Sequence, residues 1–141
     1  MLENDQATET SQANGRNSAG YRPLVLVADD DEHLRWAYRE VLERMGVTVL
    51  EAEDGAAALD ILNEHKIDLL VSDIQMPNVN GLELSKEARR RFPDLPIMLV
   101  SGLVGTRFLA PDDLVAATCV LQKPLDHSDF KTRVRTILSL G

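Results

Sequence analysis

The sequence lacks a set of cysteines, a long apolar run and an N-terminal signal pattern. Its single cysteine, Cys119, excludes an intramolecular disulfide framework and a metal site built from several thiolates. No stretch approaches the roughly 20 apolar residues of a membrane-spanning helix. The N-terminus has no positively charged start followed by an apolar run, so it carries no signal peptide pattern. We therefore expect a cytoplasmic protein with no insertion into membranes.

Basic residues are in the minority, with 15 Lys and Arg against 23 Asp and Glu and a formal net charge of −8. This balance argues against direct binding of nucleic acid or of an anionic membrane surface. A cation or a basic protein surface is the better expectation for a partner. The length of 141 residues and the hydrophobic content of 44% fit one ordinary globular domain.

Residues 1–22 carry almost no large apolar side chains and are rich in Asn, Gln, Ser, Thr, Ala and Gly. Such a segment cannot bury enough surface to offset the entropy of ordering it. We expect a flexible N-terminal tail over residues 1–22 and a folded domain over residues 23–141.

Short apolar runs alternate with helical patterns through the rest of the chain. The expected strands are Leu24–Ala28, Val47–Ala52, Ile67–Ser72, Ile97–Val100 and Thr118–Leu121. The expected helices are one that follows Asp29–Glu32 and ends at Gly46, then Gly55–His65, Gly81–Arg91, a short one starting near Pro111, and a last one opened by Asp126. Continuous apolar runs are typical of parallel strands buried on both faces. The alternation predicts an α/β fold, a doubly wound five-stranded parallel sheet covered by helices on both faces.

Polar residues stand where four of these strands end. The first strand runs into Asp29 and Asp30, the third into Asp73, the fourth into Ser101 and the fifth into Lys123. With the strand order 2-1-3-4-5, the topological switch point would bring the three aspartates together. Carboxylates about 4 Å apart repel by roughly 4 kcal/mol per pair at an effective dielectric near 20. The cluster therefore favours a divalent cation, and its oxygen ligands favour Mg²⁺.

Ser101 and Lys123 would flank this metal, and both can hold a phosphoryl group. A carboxylate nucleophile, a divalent metal, a hydroxyl and a lysine are the parts needed for phosphoryl transfer onto an aspartate.

This arrangement resembles the receiver domain of response regulators in two-component signalling, of the chemotaxis-response-regulator type. The resemblance covers about Leu24 to Leu140 and implies a flavodoxin-like three-layer sandwich. It rests on four segments, VLVADDD (25–31), VSDIQMPNVNG (71–81), PIMLVSG (96–102) and LQKP (121–124).

The resemblance implies a phosphoprotein that acts as a signalling domain rather than an enzyme. Asp73 would accept a phosphoryl group from a histidine kinase or a phosphotransfer protein, and the domain would catalyse only its own phosphorylation and dephosphorylation. Ser101 would hydrogen-bond the phosphoryl group, and Lys123 would pair with it.

The resemblance also implies a set of magnesium ligands. Asp30 would bind Mg²⁺ directly, Asp29 mainly through water, and Gln75 through its backbone carbonyl, with Asp73 completing the set.

Two features bear on how the signal would leave the domain. The family usually has Tyr or Phe three residues before the lysine, where this sequence has Val120, so the usual aromatic switch has no ring to move. Residues 124–141 have room for the last helix only. We therefore expect a single-domain regulator that signals to an unknown downstream protein by contact or by onward phosphotransfer.

Two other functions remain open. A small Mg²⁺-dependent phosphohydrolase of the haloacid-dehalogenase type uses an Asp-x-Asp motif after its first strand, which Asp29 and Asp31 could mimic. That family also needs a second acidic pair beyond its lysine and a cap element. An inert receiver-like docking domain is the third hypothesis, although such domains typically lose an acidic ligand or the lysine. The residue that becomes acylated would separate these functions.

Overall fold

The computed structural model describes residues 21–102, 112 and 115–140, and these residues form one α/β sandwich. The strands are β1 (Leu24–Ala28), β2 (Thr48–Ala52), β3 (Leu69–Asp73), β4 (Ile97–Ser101) and β5 (Cys119–Gln122). Within this part of the chain the helices are α1 (Glu32–Arg44), α2 (Gly55–Glu64), α3 (Gly81–Arg91) and α4 (His127–Leu138). The expected alternation of strands and helices is confirmed, except between β4 and β5, where the expected short helix lies outside the described residues.

The five strands form one parallel sheet in the order β2-β1-β3-β4-β5, which confirms the predicted strand order. The chain moves outward from β1 to β2, returns to β3 on the other side of β1, and then continues to β4 and β5. The carboxyl ends of β1 and β3 are therefore neighbours, with Ala28 paired to Ser72. This is the switch point at which doubly wound sheets bind ligands.

Apolar side chains cover both faces of the sheet. On one face, Val27 packs in a cluster that includes Phe130 of α4 and residues of α1. On the other face, Leu26 packs in a cluster with Leu84 of α3 and residues of α2. Adjacent residues of one strand thus enter opposite cores, as the alternating direction of strand side chains requires. The result is the three-layer arrangement that the continuous apolar runs predict.

The helices begin at side-chain caps placed just beyond the strand ends. Asp31 accepts hydrogen bonds from the backbone N–H groups of His33 and Leu34 at the start of α1. Asp54, Asn80 and Asp126 cap the other three helices in the same manner. Each cap satisfies N–H groups that have no partner inside the helix. The four caps therefore fix where each helix begins after the loop that leaves the carboxyl edge of the sheet.

Two expectations concern parts of the chain outside the described residues. Apart from Asp112, the short helix expected near Pro111 lies there, as do the first 20 residues of the expected tail. Tyr21 is described, and its hydroxyl donates a hydrogen bond of 2.9 Å to Oδ2 of Asp68. Asp68 Oδ2 also accepts from the backbone N–H of Leu24 at 2.8 Å. Tyr21, which belongs to the segment expected to be tail, therefore contacts the folded part.

No helix in the described ranges combines the length and the apolar character that crossing a membrane requires.

Candidate functional site

Three aspartates meet at the carboxyl edge of the sheet. Asp29 follows β1, Asp73 is the last residue of β3, and Asp30 begins the loop to α1. Each offers a carboxylate oxygen that lies within 4.8 Å of the oxygens offered by the other two. Asp29 and Asp73 are buried, whereas Asp30 is exposed. The sequence-based expectation that these residues converge is met because β1 and β3 are neighbours.

Asp29 is held by backbone contacts but keeps one carboxylate oxygen without a hydrogen bond. Its Oδ1 accepts from the backbone N–H of Asp31 at 2.9 Å, and its own N–H donates to the carbonyl of Ala52 at 3.1 Å. Its Oδ2 is buried with no hydrogen-bond partner among the described residues. Burial raises the pKa of Asp29, the Asp31 N–H lowers it, and the charge of Asp73 raises it further.

Asp73 is paired with Lys123. The Nζ atom of Lys123 lies 3.3 Å from Asp73 Oδ1 and 3.7 Å from Asp29 Oδ2. Burial raises the pKa of the Asp73 carboxyl, and the ammonium of Lys123 acts in the opposite direction. The Lys123 side chain is 25% exposed, so the ammonium reaches both the carboxylates and solvent.

The ends of β4 and β5 place Ser101 and Lys123 side by side. The backbone N–H of Lys123 donates to the carbonyl of Ser101 at 2.7 Å, which continues the pairing of Ser101 with Gln122. The buried hydroxyl of Ser101 donates to the carbonyl of Gly102 at 3.1 Å. Ser101 is thus at the predicted edge, with its hydroxyl bonded within its own loop.

The loop after Asp73 folds back tightly on the strand. The N–H of Ile74 donates to the carbonyl of Val100 at 3.0 Å, and the N–H of Gly81 donates to the carbonyl of Ile74 at 2.8 Å. A Cβ atom at Gly81 would overlap the carbonyl oxygen of Asp73, so only glycine allows this approach. Gln75 lies exposed on this loop, two residues beyond Asp73.

A second contact ties this loop to the one before α2. The side-chain amide of Asn78, whose φ is +64°, donates to Oδ2 of Asp54 at 3.0 Å. The backbone N–H of Gly55 donates to the carbonyl of Val79 at 3.1 Å. The two loops on this side of the acidic residues therefore support each other.

The donor set fits a hard divalent cation. Three carboxylates face one ammonium, and Asp29 Oδ2 is a buried charged oxygen that lacks a hydrogen bond. Oxygen ligands of this kind, with one side open to solvent at Asp30, are those that Mg²⁺ accepts while keeping several waters.

Arg35 also contacts the site, although it is not among the residues expected there from the sequence. Its Nη1 donates to the carbonyl of Asp29 at 2.6 Å, so it contacts the backbone of the acidic edge. A basic residue one turn into a helix is disfavoured by the positive end of the helix dipole. That position is a signal that Arg35 has a partner elsewhere.

Fold and site together define a doubly wound α/β domain with a carboxylate cluster and a lysine at the switch point of its sheet. Residues 25–135 match the response regulator receiver domain family, and the chain belongs to that family. This confirms the resemblance seen in the four sequence segments. Receiver domains are signalling domains that interact with histidine kinases and downstream effectors.

Two curated relatives illustrate the range of proteins that contain this domain. The chain is 32% identical over 114 residues to the response regulator receiver protein CpdR of Brucella abortus, covering 81% of this chain and 95% of CpdR. It is 36% identical over 126 residues to the DNA-binding transcriptional regulator NtrC of Escherichia coli, covering 84% of this chain. The match spans only 25% of NtrC.

A solved structure shows the same fold. The response regulator TrrA of Thermotoga maritima, in complex with Mg²⁺-BeF, aligns with a TM-score of 0.75 and 28% sequence identity. The alignment covers 82% of this chain and 98% of TrrA.

Proposed function

We propose that residues 23–141 act as a single-domain response regulator of the cytoplasm that is phosphorylated on Asp73. The phosphoryl group would come from a histidine kinase or a phosphotransfer protein, in a reaction that depends on Mg²⁺. The observation that carries this proposal is the distance of 3.3 Å between Lys123 Nζ and Asp73 Oδ1. Among the described residues, the one ammonium that faces the acidic cluster thus lies nearest to the carboxylate at the end of β3. The match to nearly the whole of CpdR supports a regulator built from this domain alone.

In this proposal a carboxylate oxygen of Asp73 attacks phosphorus, and the bond from phosphorus to the donor nitrogen breaks. The carboxylate must be ionised to attack, and burial opposes ionisation by raising its pKa. Lys123 counteracts this effect in the resting protein. After transfer, its ammonium remains beside Asp73 and pairs with the new phosphoryl oxygens.

Asp29 and Asp30 would hold Mg²⁺ together with Asp73 and the backbone carbonyl of Gln75. When bound, the ion neutralises charge that develops on the phosphoryl oxygens. The exposed position of Asp30 leaves one side of the cluster accessible, which suits the entry of a phosphodonor.

Ser101 would change partner on phosphorylation. Its hydroxyl donates to Gly102 in the unmodified protein and would donate to the phosphoryl group afterwards. Val120 is half-buried on β5 and packs against the core cluster that contains Leu26. Because it is a valine, it has no aromatic ring to rotate. The conformational change would therefore be transmitted through Gly102 and the chain that follows. A downstream protein or a second phosphotransfer partner would recognise it there.

The test is phosphorylation by a small phosphodonor such as acetyl phosphate, followed by intact-mass measurement. The wild-type protein should gain one phosphoryl group with Mg²⁺ and none with a chelator, and Asp73→Asn should gain none. Asp60→Asn, which removes an exposed carboxylate of α2, is the matched control and should label normally. A label that persists in Asp73→Asn and is lost in Asp29→Asn would instead indicate chemistry of the haloacid-dehalogenase type. A wild-type protein that binds Mg²⁺ but takes no label would be a docking domain.

A further inference from the structure

Arg35 of α1 contacts both Asp29, which follows β1, and Glu51 of β2. Its Nη1 donates to the carbonyl oxygen of Asp29 at 2.6 Å, and its Nε donates to Oε1 of Glu51 on β2 at 3.0 Å. The side chain is only 14% exposed, so water competes weakly for either contact. One planar guanidinium thus spans a backbone acceptor and a carboxylate, a geometry that suits arginine and not lysine.

The carbonyl that Arg35 holds belongs to the peptide bond between Asp29 and Asp30. A peptide unit is planar, so a fixed carbonyl oxygen restricts the rotation of the whole unit. The Cα atoms of both aspartates are part of that unit. A contact to this oxygen therefore restricts the directions in which both carboxylates leave the backbone.

The charge of Arg35 is already balanced. Glu51 lies between Arg35 and Arg39, whose Nε is 2.8 Å from Glu51 Oε2. Arg39 also lies 3.5 Å from Glu43 Oε2, so two arginines face two carboxylates. With its charge paired on β2, Arg35 adds little net positive potential at the acidic cluster. Its contribution there is geometric.

We propose that Arg35 is a positioning residue that orients the Asp29 and Asp30 carboxylates for a divalent cation. The inference rests on the proposed cation site, and it adds a residue that binds neither the ion nor a phosphoryl group.

Arg39 provides a matched control on the next turn of α1. It contacts the same Glu51, and its Nη2 donates to the carbonyl of Val49 at 3.0 Å. Arg39→Gln therefore removes a Glu51 contact and one carbonyl hydrogen bond, as Arg35→Gln does, together with an exposed contact of 3.5 Å to Glu43 Oε2. Only Arg35 contacts the backbone of the acidic edge.

The experiment measures binding of Mg²⁺ by calorimetry and of Mn²⁺ by electron paramagnetic resonance. Arg35→Gln should raise the dissociation constants tenfold or more, and Arg39→Gln should change them less than twofold. Arg35→Lys should bind nearly as weakly as Arg35→Gln, because Arg35 uses two separate nitrogens for its two acceptors, whereas lysine has all its donors on one nitrogen. Without metal, amide hydrogen exchange at residues 29–31 should accelerate in Arg35→Gln and stay unchanged in Arg39→Gln.

Three results would contradict the positioning role of Arg35 and leave the proposed function intact. These are wild-type affinity in Arg35→Gln, an equal loss in Arg39→Gln, and full recovery in Arg35→Lys, which would show that only charge matters. A wild-type protein that binds neither ion would overturn the proposed function and this inference together. If Arg35→Gln does not fold, Arg35→Lys provides the comparison with Arg39→Gln.

Discussion

Lys123 and Asp73 form an ion pair of 3.3 Å across the ends of β5 and β3, at the carboxyl edge of the sheet. The same ammonium lies 3.7 Å from Asp29. One partly exposed cation therefore serves two buried carboxylates, with a third carboxylate on Asp30 close by. The acidic cluster is under-neutralised in the protein alone, and this imbalance leads to the first three predictions.

Replacing Lys123 should affect stability and metal affinity in opposite directions. Lys123→Met leaves the buried Asp29 and Asp73 without a cation, and we expect a loss of about 1–3 kcal/mol in the free energy of unfolding without metal. The loss is smaller than for a fully buried pair because the lysine is 25% exposed. Affinity for Mg²⁺ should rise several-fold, because the ammonium no longer competes for the carboxylates. Urea unfolding and calorimetry measure the two effects. Lys66→Met, at an exposed site, should change neither, and weaker Mg²⁺ binding in Lys123→Met would contradict the competition.

Asp30→Asn should remove metal binding without harming the fold. Asp30 is exposed and stands beside two like charges, so its loss should leave stability within about 0.5 kcal/mol or raise it slightly. The melting temperature of the wild-type protein should increase with Mg²⁺, and that of Asp30→Asn should not. Asp31→Asn removes the same charge one residue later and keeps the cap of α1, since asparagine caps as well as aspartate. It should retain the increase, and an equal loss in both variants would point to net charge alone.

The pH dependence of stability should reveal the raised pKa of the Asp29 carboxyl. Its pKa is raised above the ordinary 3.8 by burial, so the folded state binds its proton more tightly than the unfolded state. Protonation of Asp29 therefore stabilises the folded protein. This contribution is fully present below pH 3.8 and is lost as the pH rises through the pKa of Asp29 in the folded state. Without metal, Asp29→Asn should therefore be more stable than the wild type at pH 7, and the difference should shrink as the pH falls. Urea unfolding from pH 7.5 to 4.5 measures this, and a difference independent of pH would contradict it.

Gly81→Ala should destabilise the loop that holds Asp73. Alanine favours helices over glycine by about 1 kcal/mol, so propensity alone predicts a gain at the start of α3. The overlap of a Cβ with the Asp73 carbonyl opposes this, and we expect a net loss of about 2–3 kcal/mol. A Cβ at Gly102 meets nothing within 4 Å, so Gly102→Ala should change stability by less than about 0.5 kcal/mol. Urea unfolding separates the two variants, and a gain in Gly81→Ala would show that the close approach relaxes freely.

The sequence predicted elements well where local signals define them. The bounds of β1 and α3, Leu24–Ala28 and Gly81–Arg91, coincide with those expected. Strand ends were less accurate. The third and fourth strands were expected to stop at Ser72 and Val100, but pairing continues through Asp73 and Ser101. Hydrogen bonds between neighbouring strands extend the ladder past the apolar run, and periodicity does not detect them.

The candidate site likewise contains residues that the sequence identifies and one that it does not. Asp29, Asp30 and Asp73 could be named from the sequence because parallel strands end at one edge of the sheet. Arg35 could not, because its contacts depend on how α1 lies across β1 and β2. Its partners Asp29 and Glu51 are distant from each other in the chain, and only the packed structure places both within reach of one guanidinium.

By itself the sequence determined the order of the strands and helices, the caps, and the polar residues at the strand ends. These features depend on interactions between residues a few positions apart, so a short segment of the sequence is enough to determine each of them. The tertiary structure decided the distances and the charge balance. Lys123 reaches Asp73 only because β4 aligns β3 with β5. The pKa of Asp29 rises mainly because packing removes its carboxylate from water, and burial is a property of the whole fold.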